Sequence, residues 1–177
     1  MQNFLILLLL SSGQLIAQRY ITRNAEVYFL SDKDALEIVE ATNNQVGAVV
    51  DLFDKEVAFQ IQMRAFHFKI ALMEEHFNEN YVESDQYPKA TFRGRFIDLP
   101  EDLSLQNKLL VKGIIDFHGV QKEIEVFVNL ELKGDTLISS SNFVLLCSDF
   151  GIKIPKIVAD KLANEIQVAI KAVLTKI

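Results

Sequence analysis

What this chain of 177 residues lacks narrows its function before any motif does. A single cysteine, Cys147, excludes an intrachain disulfide and any paired-cysteine redox or zinc site. Its alternating neighbours mark it as a small buried apolar residue rather than a reactive thiol. Three histidines, His67, His76 and His118, stand at no recognised ligand spacing, so a metal centre has no motif to rest on. Basic residues number 18 against 24 acidic ones, a net charge of -6 that gives nucleic acid no basic face to bind. Tryptophan is absent, and neither a Gly-x-Ser-x-Gly elbow nor a phosphate-binding glycine loop occurs. Nothing in the residues demands catalysis or a cofactor, and none is expected.

Long apolar runs are missing too. The run from Phe4 to Leu10 is too short for a bilayer-spanning helix, and it sits where a secretory signal would. No Lys or Arg precedes it, and Ile16 and Gln18 fit a small-x-small cleavage site poorly. Residues 1–18 are nevertheless read as a signal peptide. Cleavage near Gln18 would leave one domain over residues 19–177, periplasmic or secreted. A 50% hydrophobic composition is ample for a single core of that size.

What is present is alternation. In VAFQIQMR, residues Val57, Phe59, Ile61 and Met63 share one face of a strand. In EIEVFVNLEL, Ile124, Val126, Val128, Leu130 and Leu132 oppose Phe127 and its polar neighbours. The same period runs from Leu137 through Ser139, Ser141, Phe143 and Leu145 to Cys147. Turn signals at 53–55, at His118-Gly119 and at Lys133-Gly134-Asp135 separate these runs, so Leu109 to Cys147 predicts a three-strand meander. Further strands are predicted at 21–30, 36–42, 46–52 and 89–98. Many long strands with one apolar face indicate a sandwich or a closed barrel.

Two segments depart from period two. In EEHFNENYVESDQYPKATF and the residues before it, Met73, Phe77 and Tyr81 recur at i, i+4 and i+8, which predicts a short helix over 71–81. Glu74, Glu75, Glu79, Glu83 and Asp85 then read as its solvated face. The C-terminal residues fit either period; pattern alone slightly favours a helix there.

Thirteen phenylalanines are the surplus that needs an account. Phe29, Phe59, Phe66, Phe68, Phe92, Phe96, Phe117 and Phe143 all fall on predicted strands and would converge on one interior. About eight strands enclose a space that side chains either fill or line around one small ligand.

The segments FHFKIALMEEHFNENYVESDQYPKATFRGRF, KGIIDFHGVQKEIEVFV and SDFGIKIP, in that order and spacing, resemble the YceI-like family of bacterial secreted proteins over about Tyr20 to Leu174. The resemblance implies an all-β fold, an extended antiparallel eight-stranded β-barrel similar to lipocalins, with a helical crossover near 71–81 and a short helix near 156–163. It also implies a strand after Ile166, which replaces the helical reading. An apolar interior holding a long-chain polyisoprenoid or other lipid follows from it as the expected function of a periplasmic carrier, with no enzymatic activity. At Met73, Glu74 and Glu75 the chain departs from the family pattern, so only apolar strand positions are carried over as barrel lining. These are Phe29, Phe59, Ile61, Met63, Phe66, Phe68, Phe92, Phe96, Val111, Ile115, Phe117, Val126, Val128, Leu130, Phe143 and Leu145. Met73, Phe77 and Tyr81 would form an entrance segment. The competing expectation is a filled barrel acting as a non-catalytic scaffold or stress-related interaction protein, with outward-facing Phe127 as a candidate anchor for a partner or a homodimer.

Overall fold

The computed structural model describes residues 18–31, 38–153 and 164–177. The strands are β1 (Arg19–Ser31), β2 (Glu40–Asp51), β3 (Glu56–Gln62), β4 (His67–Phe68), β5 (Lys89–Phe96), β6 (Asn107–Phe117), β7 (Val120–Lys133), β8 (Thr136–Leu146) and β9 (Glu165–Lys176). One helical segment, α1 (Ala71–His76) with a wider turn over Phe77–Tyr81, connects β4 to β5. The strands follow the order β1-β9-β8-β7-β6-β5-β3-β2, and β1 also bonds to β2, so eight antiparallel strands close into a barrel. The two-residue β4 is an appendage on β2 through Ala41 and Thr42. The all-β, eight-stranded barrel expected from the sequence is therefore the observed fold. The signal segment and the short helix expected near 156–163 lie outside the described residues.

Local chemistry accounts for the elements. His118 and Gly119 carry φ of 52° and 74°, the left-handed pair that a two-residue hairpin between β6 and β7 requires. Asp51 Oδ1 accepts from the Phe53 and Asp54 amides and so closes the β2–β3 turn. Pro88 precedes β5, and its carbonyl accepts from the Met63 amide at 3.0 Å.

One expectation changes, and one is settled between two periods. The strands expected at 36–42 and 46–52 are one strand, β2, interrupted by register shifts opposite β1. Asn43, 0% exposed, makes this interruption possible. Its Nδ2 donates to the Gln62 carbonyl at 2.9 Å and its Oδ1 accepts from the Gln45 amide at 2.8 Å, so the irregular backbone is bonded rather than broken. At the C-terminus, β9 is the strand that the family resemblance implies after Ile166, against the small helical preference of the pattern alone. Without β9 the facing edges of β1 and β8 would both be open; with it, Tyr28 pairs with Ala169 and Ala169 with Asn142.

The barrel interior divides along its axis. At the end holding the chain's C-terminus and the 134–135 turn, Tyr20, Val46, Val50, Val111, Leu130, Leu137 and Leu174 are all at most 3% exposed. Leu103, on the connection between β5 and β6, is buried with them, and its carbonyl accepts from the Leu132 amide at 2.7 Å. That half is solid. The opposite half, beneath the helical segment, is not.

Candidate functional site: an apolar cavity in one half of the barrel

The hollow half encloses a cavity of about 450 Å³, within the range of small-molecule sites. Its wall is drawn from β1, β3 and β5 to β9 and from the helical segment. Period-two alternation delivers these side chains: every second residue of each strand must point inward, and in this sequence most of those residues are apolar, with Ser31 of β1 and Ser139 and Ser141 of β8 among the exceptions.

A cluster of four phenylalanines forms the wall under the helix. Phe29 of β1 stacks on Phe77 with ring centroids 5.5 Å apart, and meets Phe66 edge-on at 5.3 Å and Phe68 at 5.8 Å. Phe68 and Phe77 lie 5.0 Å apart. Each such pair contributes about 0.5–1.5 kcal/mol beyond the area it buries, and here the pairs tie the helical segment to β1 and β4. Across the barrel, Phe117 packs on Phe150 at 5.3 Å. The mouth lies at the helical segment, where Ile70 and Leu72 line the cavity yet remain 51% and 56% exposed.

Another wall segment depends on glycine. Gly94 of β5 pairs directly with Gly113 of β6, and the Phe92 ring lies across them. A Cβ on Gly113 would fall 2.4 Å from the Arg93 carbonyl oxygen and 2.7 Å from Phe92 Cζ. The absence of side chains here lets a large ring lie flat on the wall.

Of the sequence-derived lining, Phe29, Phe59, Ile61, Met63, Phe66, Phe68, Phe92, Phe96, Ile115, Phe117, Val126, Val128, Phe143 and Leu145 border the cavity, as do Met73, Phe77 and Tyr81. Val111 and Leu130 do not: both point inward but are fully buried in the solid half. Alternation reports the side a residue faces, not its height in the barrel. The same reasoning missed Val27, Val168 and Ile170, although each lies on an alternating face. It also left Ser139 and Ser141 unassigned, because they are polar.

No Lys, Arg, Asp or Glu is among the described lining residues. Tyr81 and Cys147 both border the cavity, and burial raises the pKa of the hydroxyl and of the thiol, so both are held neutral. The acidic segment has more structural roles than a solvated face. Glu74 Oε2 accepts from the Phe68 amide at 3.1 Å, Asp85 pairs with Arg64, and Glu83 Oε2 lies 2.9 Å from His118 Nε2. His118 Nδ1 in turn donates to the Phe150 carbonyl at 2.9 Å, so this turn residue braces the mouth-side loops around Phe117. The segment shapes the cavity wall.

Comparison with known proteins bears on this architecture. Residues 21–174 match the YceI-like domain. The chain belongs to the YceI-like family. Among solved structures, this YceI-like barrel is similar to a polyisoprenoid binding domain from Saccharophagus degradans implicated in plant cell wall breakdown, with a TM-score of 0.75, 14% identity, and 91% of this chain and 99% of that one covered. It is also similar to BcnA of Burkholderia cenocepacia, with a TM-score of 0.72, 18% identity and 86% and 96% coverage. The YCEI protein of Campylobacter jejuni gives a TM-score of 0.63 at 17% identity, with 76% and 83% covered. No curated protein sequence matches the chain. At these identities the structural likeness establishes the fold of the YceI-like barrel, and its cavity must be read from its own residues.

Proposed function

We propose that this protein is a carrier that holds a long-chain polyisoprenoid or other lipid non-covalently in the hollow half of its barrel. One observation carries the reading: a cavity of about 450 Å³ walled mainly by aliphatic and aromatic side chains, with no Lys, Arg, Asp or Glu and only His76 as an imidazole among its described lining residues, and open beside Ile70 and Leu72. Burial contributes about 0.8 kcal/mol per methylene, so an alkyl or prenyl chain gains affinity from length alone. The family and the polyisoprenoid binding domain among its structural relatives support an apolar ligand. The role is binding rather than catalysis, and the place is the periplasm or the exterior, after loss of residues 1–18.

Native mass spectrometry of the protein expressed with its own N-terminal segment, and recovered without detergent, tests both statements. The expected spectrum shows a chain beginning near Arg19 with a bound mass that releases as an isoprenoid or fatty compound on denaturation. Intact residues 1–18 would sink the assignment to the periplasm or exterior. A bare mass, combined with failure to take up added long-chain lipid, would sink the carrier.

A further inference from the structure

Two serines face the deep end of the cavity. Ser139 and Ser141 of β8 border it and are 7% and 6% exposed. In register, Ser139 stands opposite Leu130 of β7 and Ala172 of β9, at the level where the solid half begins. Ser141, one inward position nearer the mouth, stands opposite Val128 and Ile170.

A hydroxyl in an apolar enclosure costs free energy unless it finds a hydrogen-bond partner. Ser141 finds one by donating its Oγ hydrogen to the Phe127 carbonyl at 2.7 Å. Ser139 makes no side-chain hydrogen bond with any described residue, and its Oγ is not sealed in the wall but open to the cavity. The two therefore offer different halves of a hydrogen-bonding site. Ser141, its hydrogen committed, presents lone pairs only; Ser139 presents one donor and its lone pairs. With no Lys or Arg among the described lining, a carboxylate or phosphate at this depth would be a buried, unpaired charge.

We propose that the cavity takes its ligand polar end first. That end is an uncharged group that both donates and accepts a hydrogen bond, as a primary hydroxyl does, and it seats between Ser139 and Ser141 with the chain running outward past Phe143 to the mouth. The proposal rests on the carrier reading and assigns its ligand a head-group chemistry and an orientation.

Hexadecanol, hexadecyl methyl ether and hexadecanoate serve as probes. Each is mixed with the protein at pH 8 and followed by native mass spectrometry, alone and in pairwise competition. The alcohol is expected to bind about tenfold more tightly than the ether, which cannot donate. Hexadecanoate should bind more weakly than the alcohol. Ser139→Ala should weaken alcohol and ether alike, because both accept from the Ser139 hydroxyl, and Ser139→Thr, which keeps the hydroxyl, should restore both; Ser141→Ala, which removes the acceptor, should bring the alcohol to the level of the ether. Equal binding of alcohol and ether, tightest binding of hexadecanoate, a preference that survives Ser141→Ala, or undiminished binding of both probes by Ser139→Ala overturns the serine site and leaves the carrier standing. If none of the three probes binds, the carrier reading fails and the site with it.

Discussion

Tyr28 shows how a single residue couples the mouth end of the barrel to pH. Its hydroxyl donates to Glu40 Oε2 at 2.5 Å, and Lys69 pairs with the same carboxylate, so one side chain from each of β1, β2 and the β4–α1 connection meet. Burial, then the hydrogen bond and the negative charge of Glu40, push the Tyr28 pKa up to about 12 from 10.0. The hydrogen bonds from Lys69 and Tyr28 hold the Glu40 carboxyl below its ordinary value. The signs are opposite. Tyr28 contributes stability that is fully present below pH 10.0 and is lost as pH rises through about 12. Glu40 contributes stability that is present above the ordinary carboxylate range and is lost as pH falls below it. An absorbance titration of phenolate should show a step near pH 12 that disappears in Tyr28→Phe. Its persistence in that variant would assign the step to another tyrosine.

At the scale of elements, the β5–β6 pair illustrates how strands build a wall that a ligand can lie against. Gly94 and Gly113 face each other in register, and their missing side chains are occupied by the Phe92 ring. Gly113→Ala would place a methyl against the Arg93 carbonyl and the Phe92 ring, so the strand pair must separate and the ring must turn into the cavity. The expected cost is about 1–3 kcal/mol in chemical denaturation, together with a marked loss of lipid uptake. An unchanged denaturation midpoint would show that the ring and backbone relax freely. The helical segment acts in the same way from the other side: Phe77 belongs to the aromatic cluster with Phe29, Phe66 and Phe68, and the Glu74 carboxylate holds the Phe68 amide beside it.

For the molecule as a whole, the division into a solid and a hollow half separates stability from binding. Leu130 is 0% exposed and sits below the cavity floor. Leu130→Ala should cost about 2–5 kcal/mol in equilibrium unfolding while leaving lipid affinity within a factor of a few, because the void opens in the solid half. A comparable loss of affinity and stability would mean that the two halves communicate through β7. Outward-facing Phe127, 53% exposed, has Lys108 Nζ 4.6 Å from its ring centroid, a cation–π contact across the β6–β7 pair.

Alternation by itself determined that residues such as Phe59, Ile61, Val126 and Phe143 face one interior, because a strand offers only two sides and only one is apolar. The His118-Gly119 hairpin and the i, i+4, i+8 pattern of Met73, Phe77 and Tyr81 were legible for similarly local reasons. The β9 strand was not, since its residues satisfy both periods and the choice depends on two strand edges more than a hundred residues apart in the chain for β1, and close by in β8. Nor was the continuity of β2, which depends on Asn43 reaching the Gln62 carbonyl. Only the tertiary structure decided which inward residues fill the barrel and which surround a space. Val111 and Phe117 share one face of one strand, yet the first is packed solid and the second borders the cavity. Height along a closed barrel is set by the register of all eight strands together, and no single strand carries that information.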